Sequence, residues 1–385
     1  MNLKNACPFL VLKNMVSKQS KKKINFLQTT AATISSLAAA GLLLRQKKLF
    51  MQYVDNFILE VYSSDIMDYS SELGVEHKKP PFNINVPYLN HILYYIWLVF
   101  RAPFINGPIV VSGVSLPVLP IIKFLSREQI VIYYKYDWAK GVKKDYGGLK
   151  GLFSDLVQWL SIKSADRVIC TTEWLKDIVN DRYDKEAVVN PNSVDDKIFY
   201  PSVKKNESII YAGRLHWSKG IDTLIKAFSL LEKDIPDSRL LICGQGEDYN
   251  RLKDISKSSG VKNIEFLGLV DQVRLGRLIA EAKVFVLPTR TMEGHPKALV
   301  EAMACSTACI VSDVPGNNHI IEHKKTGLLF PPDNEDALFS MLTNLFNDED
   351  LRITVEKNAG KFAKKNFGFN EVIAKEMNII KRALK

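Results

Sequence analysis

The stretch Ser208–Phe228, SIIYAGRLHWSKGIDTLIKAF, decides how the rest of the chain is read. A β-branched apolar run ends at Gly213, a loop presents Arg214 and Lys219, and Gly220 opens a helical pattern with Asp222 in its first turn. Strand, basic loop and helix in that order make the front half of a βαβ unit. In open α/β sheets ligands bind beyond the carboxyl ends of the strands, so two cations at that edge are placed to grip an anion. Arginine offers a planar fork and lysine a mobile point charge, a pairing suited to a diphosphate. A solvated basic loop is the plain alternative.

Outward from this stretch the same rhythm runs on. SRLLICGQG, NIEFLGLV, KVFVLPT, TACIVSD and TGLLFPP read as strands, with helical patterns such as NRLKDISKSSG, VRLGRLIAEA and EDALFSMLTNLFND between them. Upstream, INGPIVVSG, EQIVIYYKYD and ADRVICTTE alternate with GLFSDLVQWLSIKSA and EWLKDIVNDRY. Two such series predict two Rossmann-like, doubly wound lobes of parallel sheet and crossover helices. The stretch VNPNSVDDKIFYPSVKKNES, residues 189–208, breaks the periodicity and marks the join. The expected division is an N-terminal lobe over 1–198, a C-terminal lobe over 199–367, and a terminal helix over 368–385 that packs back toward the first lobe.

Composition agrees with a soluble globular chain of 385 residues, 46% hydrophobic and 24% charged. The net charge of +10 is concentrated early: residues 1–200 hold 25 basic and 18 acidic groups. That excess suits a phosphate-bearing partner or an anionic membrane surface, while the absence of basic-aromatic interleaving argues against nucleic acid. Cys7, Cys170, Cys243, Cys305 and Cys309 have no paired spacing and lie in apolar runs, so they read as core residues, and no metal site is expected. The uncharged run Ile24–Leu44, INFLQTTAATISSLAAAGLLL, reads as a buried first helix, with a signal-anchor helix as the competing reading. The run ILYYIWLVFRAPF, Ile92–Phe104, is too short to span a bilayer and reads as a core helix or a membrane-touching one.

A second stretch, Glu293–Cys305 or EGHPKALVEAMAC, places a carboxylate in a loop and another within the helix that follows. Pro296 fits a helix's first turn, and the free N–H groups of that start attract phosphate. Glu301 lies five residues in, roughly 7–8 Å along the axis at 1.5 Å per residue, about the span from a diphosphate to a ribose. A capping acid and a surface glutamate are the plain alternative.

YAGRLHWSKGIDTLIKAF and FVLPTRTMEGHPKALVEAMAC resemble the two signature motifs of family 4 glycosyltransferases. LLICGQGEDYNRL, SDVPGNN, TGLLFPPDNEDAL and NPNSVDDKIFYP follow in that family's order. The resemblance covers about residues 165–365 and implies the GT-B architecture, with two lobes facing a cleft. It implies a retaining, metal-independent transfer of a hexose from a nucleotide sugar, with a UDP- or GDP-sugar expected, to a hydroxyl acceptor, and no cofactor; the basic first lobe and the run ILYYIWLVF suggest that this acceptor is lipid-linked or a surface polysaccharide. Arg214 and Lys219 would contact the diphosphate, Glu301 the ribose, Glu293 the transferred sugar and the region of Val270 the base. Gly213, Gly294, His295 and Leu299 complete the donor set implied by the motifs, with Glu293, Arg214 and Lys219 as the catalytic candidates.

The chain also departs from the family. KNMVSKQSKKK stands where a Gly-rich turn is expected after the first strand, and YYKYDWAKG carries Tyr136 in place of a common histidine, with Asp137 beside it. Tyr136 and Asp137 are the acceptor-side candidates. His319 stands where a glutamate is common, and Ser306 replaces a common glycine. The expected location is the cytoplasm, peripheral on the inner face of the membrane. The alternative is a non-catalytic GT-B partner subunit that binds a nucleotide sugar or another transferase.

Overall fold

The computed structural model describes residues 22–29, 34–35, 43–54, 57–65, 67–81 and 86–383. The first sheet takes β1 Lys23–Leu27, β2 Ile58–Tyr62, β3 Glu76–Lys78, β4 Ile109–Val111, β5 Ile130–Tyr134, β6 Arg167–Cys170 and β7 Ala187–Val189. Around it lie α1 Leu43–Val54, α2 Ser70–Leu73, α3 Pro87–Arg101, α4 Leu119–Ser126, α5 Trp138–Tyr146, α6 Gly148–Ser164 and α7 Glu173–Tyr183. The second sheet takes β8 Asn206–Ala212, β9 Arg239–Cys243, β10 Ile264–Gly268, β11 Ala282–Leu287, β12 Ala308–Ser312 and β13 Leu328–Phe330. Its helices are α8 Ile221–Asp234, α9 Tyr249–Ser258, α10 Gln272–Glu281, α11 Lys297–Ala304, α12 Glu335–Asn347 and α13 Glu349–Phe367. A last helix, α14, spans Phe369–Ala383.

All strand pairs are parallel, in the orders β3-β2-β1-β4-β5-β6-β7 and β10-β9-β8-β11-β12-β13. In both sheets the order reverses beside the first strand, so a crevice opens between the carboxyl ends of β1 and β4 and again between those of β8 and β11. Helices cover both faces, which is why β5 (IVIYY) and β12 (ACIVS) are buried at every residue. The described cysteines are buried free thiols, and burial pushes those of Cys170, Cys243 and Cys305 up to about 12. Cys7 lies outside the described residues.

The run Ile24–Leu44 is not a single helix. Its first four residues are the body of β1, an inner strand between β2 and β4. Asn25 within it is buried and donates through Nδ2 to the carbonyls of Asn106 and Gly107, both at 3.0 Å. Five residues are too few for their two-residue alternation to stand out from the uncharged run that follows them. Most of KNMVSKQSKKK lies outside the described residues; Lys22 precedes β1, Lys23 opens it, and the loop after β1 starts at Gln28. The earlier apolar run PFLVL lies outside the described residues. Among the described residues no helix is long and apolar enough to cross a membrane.

Helix α14 buries Phe369, Ile373, Met377 and Ile380 in the same core as Ile24, Phe26, Val131 and Ile169 of the first sheet. Its Glu376 carboxylate is buried and accepts hydrogen bonds from the hydroxyls of Tyr53 and Tyr133 and, at 3.3 Å, from Asn190 Nδ2. Burial and then the Glu376 charge push both tyrosine hydroxyls well above their ordinary range. Glu376→Ala would leave two buried hydroxyls short of an acceptor, for a loss of about 1–3 kcal/mol in urea unfolding. A variant as stable as the parent would mean that this carboxylate does not anchor α14.

Candidate active site

The loop after β8 and the loop after β11 leave neighbouring strands at the switch point of the second sheet. Gly220, with φ +63°, turns the first loop into α8, and a Cβ there would lie 2.1 Å from the Pro288 carbonyl oxygen. Arg290 fastens the two loops: it donates to the Trp217 carbonyl at 2.6 Å and pairs with Asp222 at 2.8 Å and with Asp333. Burial pushes the Asp222 carboxyl up, but hydrogen bonding and charge from Arg290, and then from Arg251, hold it below its ordinary value. Gly213 is required because a Cβ would meet the buried Tyr211 hydroxyl at 2.7 Å, and that hydroxyl donates to the Arg214 carbonyl at 2.8 Å.

This frame brings Lys219 to Glu293, whose Oε1 also accepts from the Thr289 hydroxyl at 2.8 Å. Arg214 grips Glu247 through two hydrogen bonds, at 2.9 and 3.1 Å, and His216 Nε2 lies 3.3 Å from the same carboxylate. The Glu247 carboxyl is lowered by its own backbone N–H and, beyond a small opposing effect of burial, by Arg214. A cleft of about 1170 Å³ runs between the lobes, with Arg214, Lys219, Glu247 and Glu293 on one wall and Tyr136 and Lys140 on the other. Cations and carboxylates thus alternate along one wall, an arrangement that can bind an anion and a polyol side by side.

The remaining candidates divide. Leu299 and Glu301 are buried on α11, with Pro296 as its N-cap residue. Val270 follows β10 and is partly buried against the second core. Gly294 is needed by the opposite lobe: a Cβ there would sit 1.9 Å from the Lys135 carbonyl oxygen. His295 is 7% exposed, its Nδ1 lacks a hydrogen-bond partner, and its ring stands edge-on to Phe367 at 5.1 Å. Tyr136 lines the cleft, but the structure does not bring Asp137 there. Asp137 is buried as the cap of α5, accepts from Lys140 N–H at 3.3 Å and Gln158 Nε2 at 2.9 Å, and faces Arg182 at 3.6 Å. Sequence reasoning passed over Glu247, Thr289 and Arg290. Each follows a strand directly, at the same sheet edge that singled out Arg214, and that position was the available signal.

Two lobes of this topology around such a cleft make the GT-B fold. The Anabaena protein HepE, solved with UDP and glucose, matches with a TM-score of 0.76 at 18% identity, covering 94% of this chain and 99% of that one. Residues 194–362 match the family described as glycosyl transferases group 1. An uncharacterized glycosyltransferase of Methanocaldococcus jannaschii is 29% identical over 202 residues, 52% of this chain and 56% of its own. The UDP-Gal:alpha-D-GlcNAc-diphosphoundecaprenol alpha-1,3-galactosyltransferase of Escherichia coli is 29% identical over 245 residues, 58% of this chain and 62% of its own. The chain therefore spans a little over half the length of these relatives.

Burial holds the His295 ring neutral, with its pKa lowered from 6.5 to about 3. The folded protein thus has its full His295 contribution above pH 6.5 and loses it as pH falls toward 3, because the unfolded chain takes up the proton first. In urea titrations across that window, His295→Gln should flatten the fall of stability by up to about 1.4 kcal/mol per pH unit. Parallel curves for variant and parent would show that the ring is not buried neutral.

Proposed function

We propose that this protein is a retaining glycosyltransferase that moves a hexose from a UDP- or GDP-sugar to a hydroxyl of a lipid-linked or polysaccharide acceptor. The observation that carries the reading is the meeting of Arg214, Lys219 and Glu293 at the switch point of the second sheet, across a cleft from Tyr136. The match of residues 194–362 to the group 1 family supports it, and the UDP-galactose donor and diphosphoundecaprenol acceptor named for the Escherichia coli relative favour a UDP-hexose and a lipid-linked acceptor.

In this reading the donor diphosphate lies against Arg214, Lys219 and the N–H groups at the start of α11. Glu301 accepts the ribose hydroxyls, the region of Val270 meets the base, and Glu293, held by Lys219 and Thr289, receives the hydroxyls of the transferred sugar. Gly213 and Leu299 shape the floor, and His295 fixes the entry to α11. The bond from the anomeric carbon to the diphosphate oxygen breaks as the acceptor oxygen forms a bond on the same face, and the acceptor proton passes to the leaving diphosphate. Charge grows on that diphosphate in the transition state, where the two fixed cations act most strongly. No cofactor enters this scheme, and transfer proceeds in the presence of a chelator. The site faces the cytoplasm, where nucleotide sugars are available, at the inner surface of the membrane.

Thermal melting with UDP-, GDP- and ADP-sugars in chelator should show a rise for one base alone, since a ligand that binds only the folded state raises the melting point. If no nucleotide sugar shifts a folded sample, the non-catalytic partner subunit becomes the better reading. Lys219→Ala should lower kcat by about 10²–10³. Glu301→Ala should instead weaken donor binding, by about tenfold for one lost charged hydrogen bond. Parent-like turnover and affinity in both variants would place the donor site elsewhere.

A further inference from the structure

Helix α6 is built inside out. Its buried face carries Gly151, Ser154, Gln158 and Ser161 beside Val157 and Ile162. Leu149, Leu152, Phe153, Leu156 and Trp159 point to solvent, the first three 85%, 64% and 63% exposed. Their spacing puts all five on one stripe of the helix. The orientation is fixed by bonds to other elements: Ser161 Oγ donates to the Leu116 carbonyl at 3.1 Å. Gln158 donates to Asp137 and to the Tyr183 hydroxyl, and accepts from Ala139 N–H at 3.0 Å. Rotating α6 to hide its apolar stripe would expose or orphan every one of these groups.

The neighbouring helices expose apolar residues too. Helix α4 packs against both α6 and α3, and presents Phe124, while α3 presents Ile96 and Phe100. An apolar groove of about 390 Å³ lies between α3 and α4. Single exposed apolar residues are ordinary, but several of them on three helices packed in series mark a place of interaction. Residues 87–165 carry nine Lys and Arg against four Asp and Glu, and Lys140, Lys143, Lys150 and Lys163 are exposed beside the stripe. Helix α5, which bears Lys140 and Lys143, lies between the stripe and the cleft and lines the latter.

We propose that α6, with the exposed edges of α3 and α4, seats the N-terminal lobe on an anionic lipid surface. A broad apolar stripe ending in tryptophan and bordered by lysines has the make-up of a helix that lies in the headgroup boundary. A second copy fits less well, because a two-fold contact would set one lysine rim against its equal. The cleft then opens at headgroup level across the α5 lysines. That this delivers a lipid-linked acceptor rests on the transferase reading, whereas the seat itself does not.

Co-sedimentation of the full chain with vesicles of phosphatidylglycerol and phosphatidylcholine separates the two. The parent should bind the mixed vesicles, release at high salt, and bind pure phosphatidylcholine about tenfold more weakly or less. Leu152→Glu with Phe153→Glu should abolish binding with an unchanged melting temperature and an unchanged response to nucleotide sugars. Lys150→Gln with Lys163→Gln should weaken binding to the anionic vesicles about tenfold or more. Should the glutamate pair fail to fold, Leu156→Gln serves in its place, with a smaller loss of the same kind. A parent that stays in the supernatant with anionic vesicles overturns the proposal. So does a parent that is dimeric in light scattering and becomes monomeric on the Leu152 and Phe153 changes, since the stripe would then belong to a second copy.

Discussion

Lys219 and Glu293 meet because β8 and β11 are neighbours, although 74 residues separate them along the chain. Parallel pairing sends both strands out of the sheet at the same edge, and the reversal of strand order leaves room for their loops to turn toward each other. Everything on that wall of the cleft inherits its position from this pairing. Arg290 holds the loops by charge and Gly220 lets them close to contact. The loop after β9 adds Gly244, where a Cβ would fall 1.8 Å from the Gly213 carbonyl oxygen, and through it Glu247 reaches Arg214. The result is a set of charges whose geometry is held by the fold.

The second lobe was readable because its strands are short β-branched runs set apart by glycine, proline and charge. Arg214 and Lys219 drew notice from the loop after β8, and Glu293 from the loop before a helix, where a solvated basic loop and a capping acid were the plain alternatives. The first lobe resisted for a physical reason. β1 is only five residues long, too short for its alternation to stand out, and the uncharged stretch after it hid the end of the strand. Asp137 was misplaced for the opposite reason. A carboxylate after a strand looks available, and only the packing of α5 on α6 reveals that Gln158 and Lys140 N–H have claimed it. Burial of polar groups is a property of pairs of elements, and one element's sequence does not carry it.

Asp137 joins two regions that differ in chemistry. Its neighbour Tyr136 lines the cleft, while its own partner Gln158 lies on the inner face of α6, the helix whose outer face is apolar. Gln158 passes the connection to Tyr183 on α7, and Arg182 beside it pairs with Asp137 at 3.6 Å and with Asp155 at 2.6 Å. One buried polar network therefore fixes both the cleft wall and the orientation of the exposed stripe, and a change in either would be felt at the other.

The chain passes between the lobes twice. The two crossings run side by side, with Val194 N–H donating to the Phe367 carbonyl at 2.8 Å. Because the second crossing delivers α14 to the N-terminal lobe, that lobe holds Phe369, Ile373, Met377 and Ile380 in its core. During synthesis the second lobe can complete its own core as soon as α13 has left the ribosome, whereas the first lobe must wait, one side open, for a segment made after the whole of the second. The order of completion is thus the reverse of the order of manufacture, and the apolar surface left uncovered in the interval is what a folding chaperone would meet.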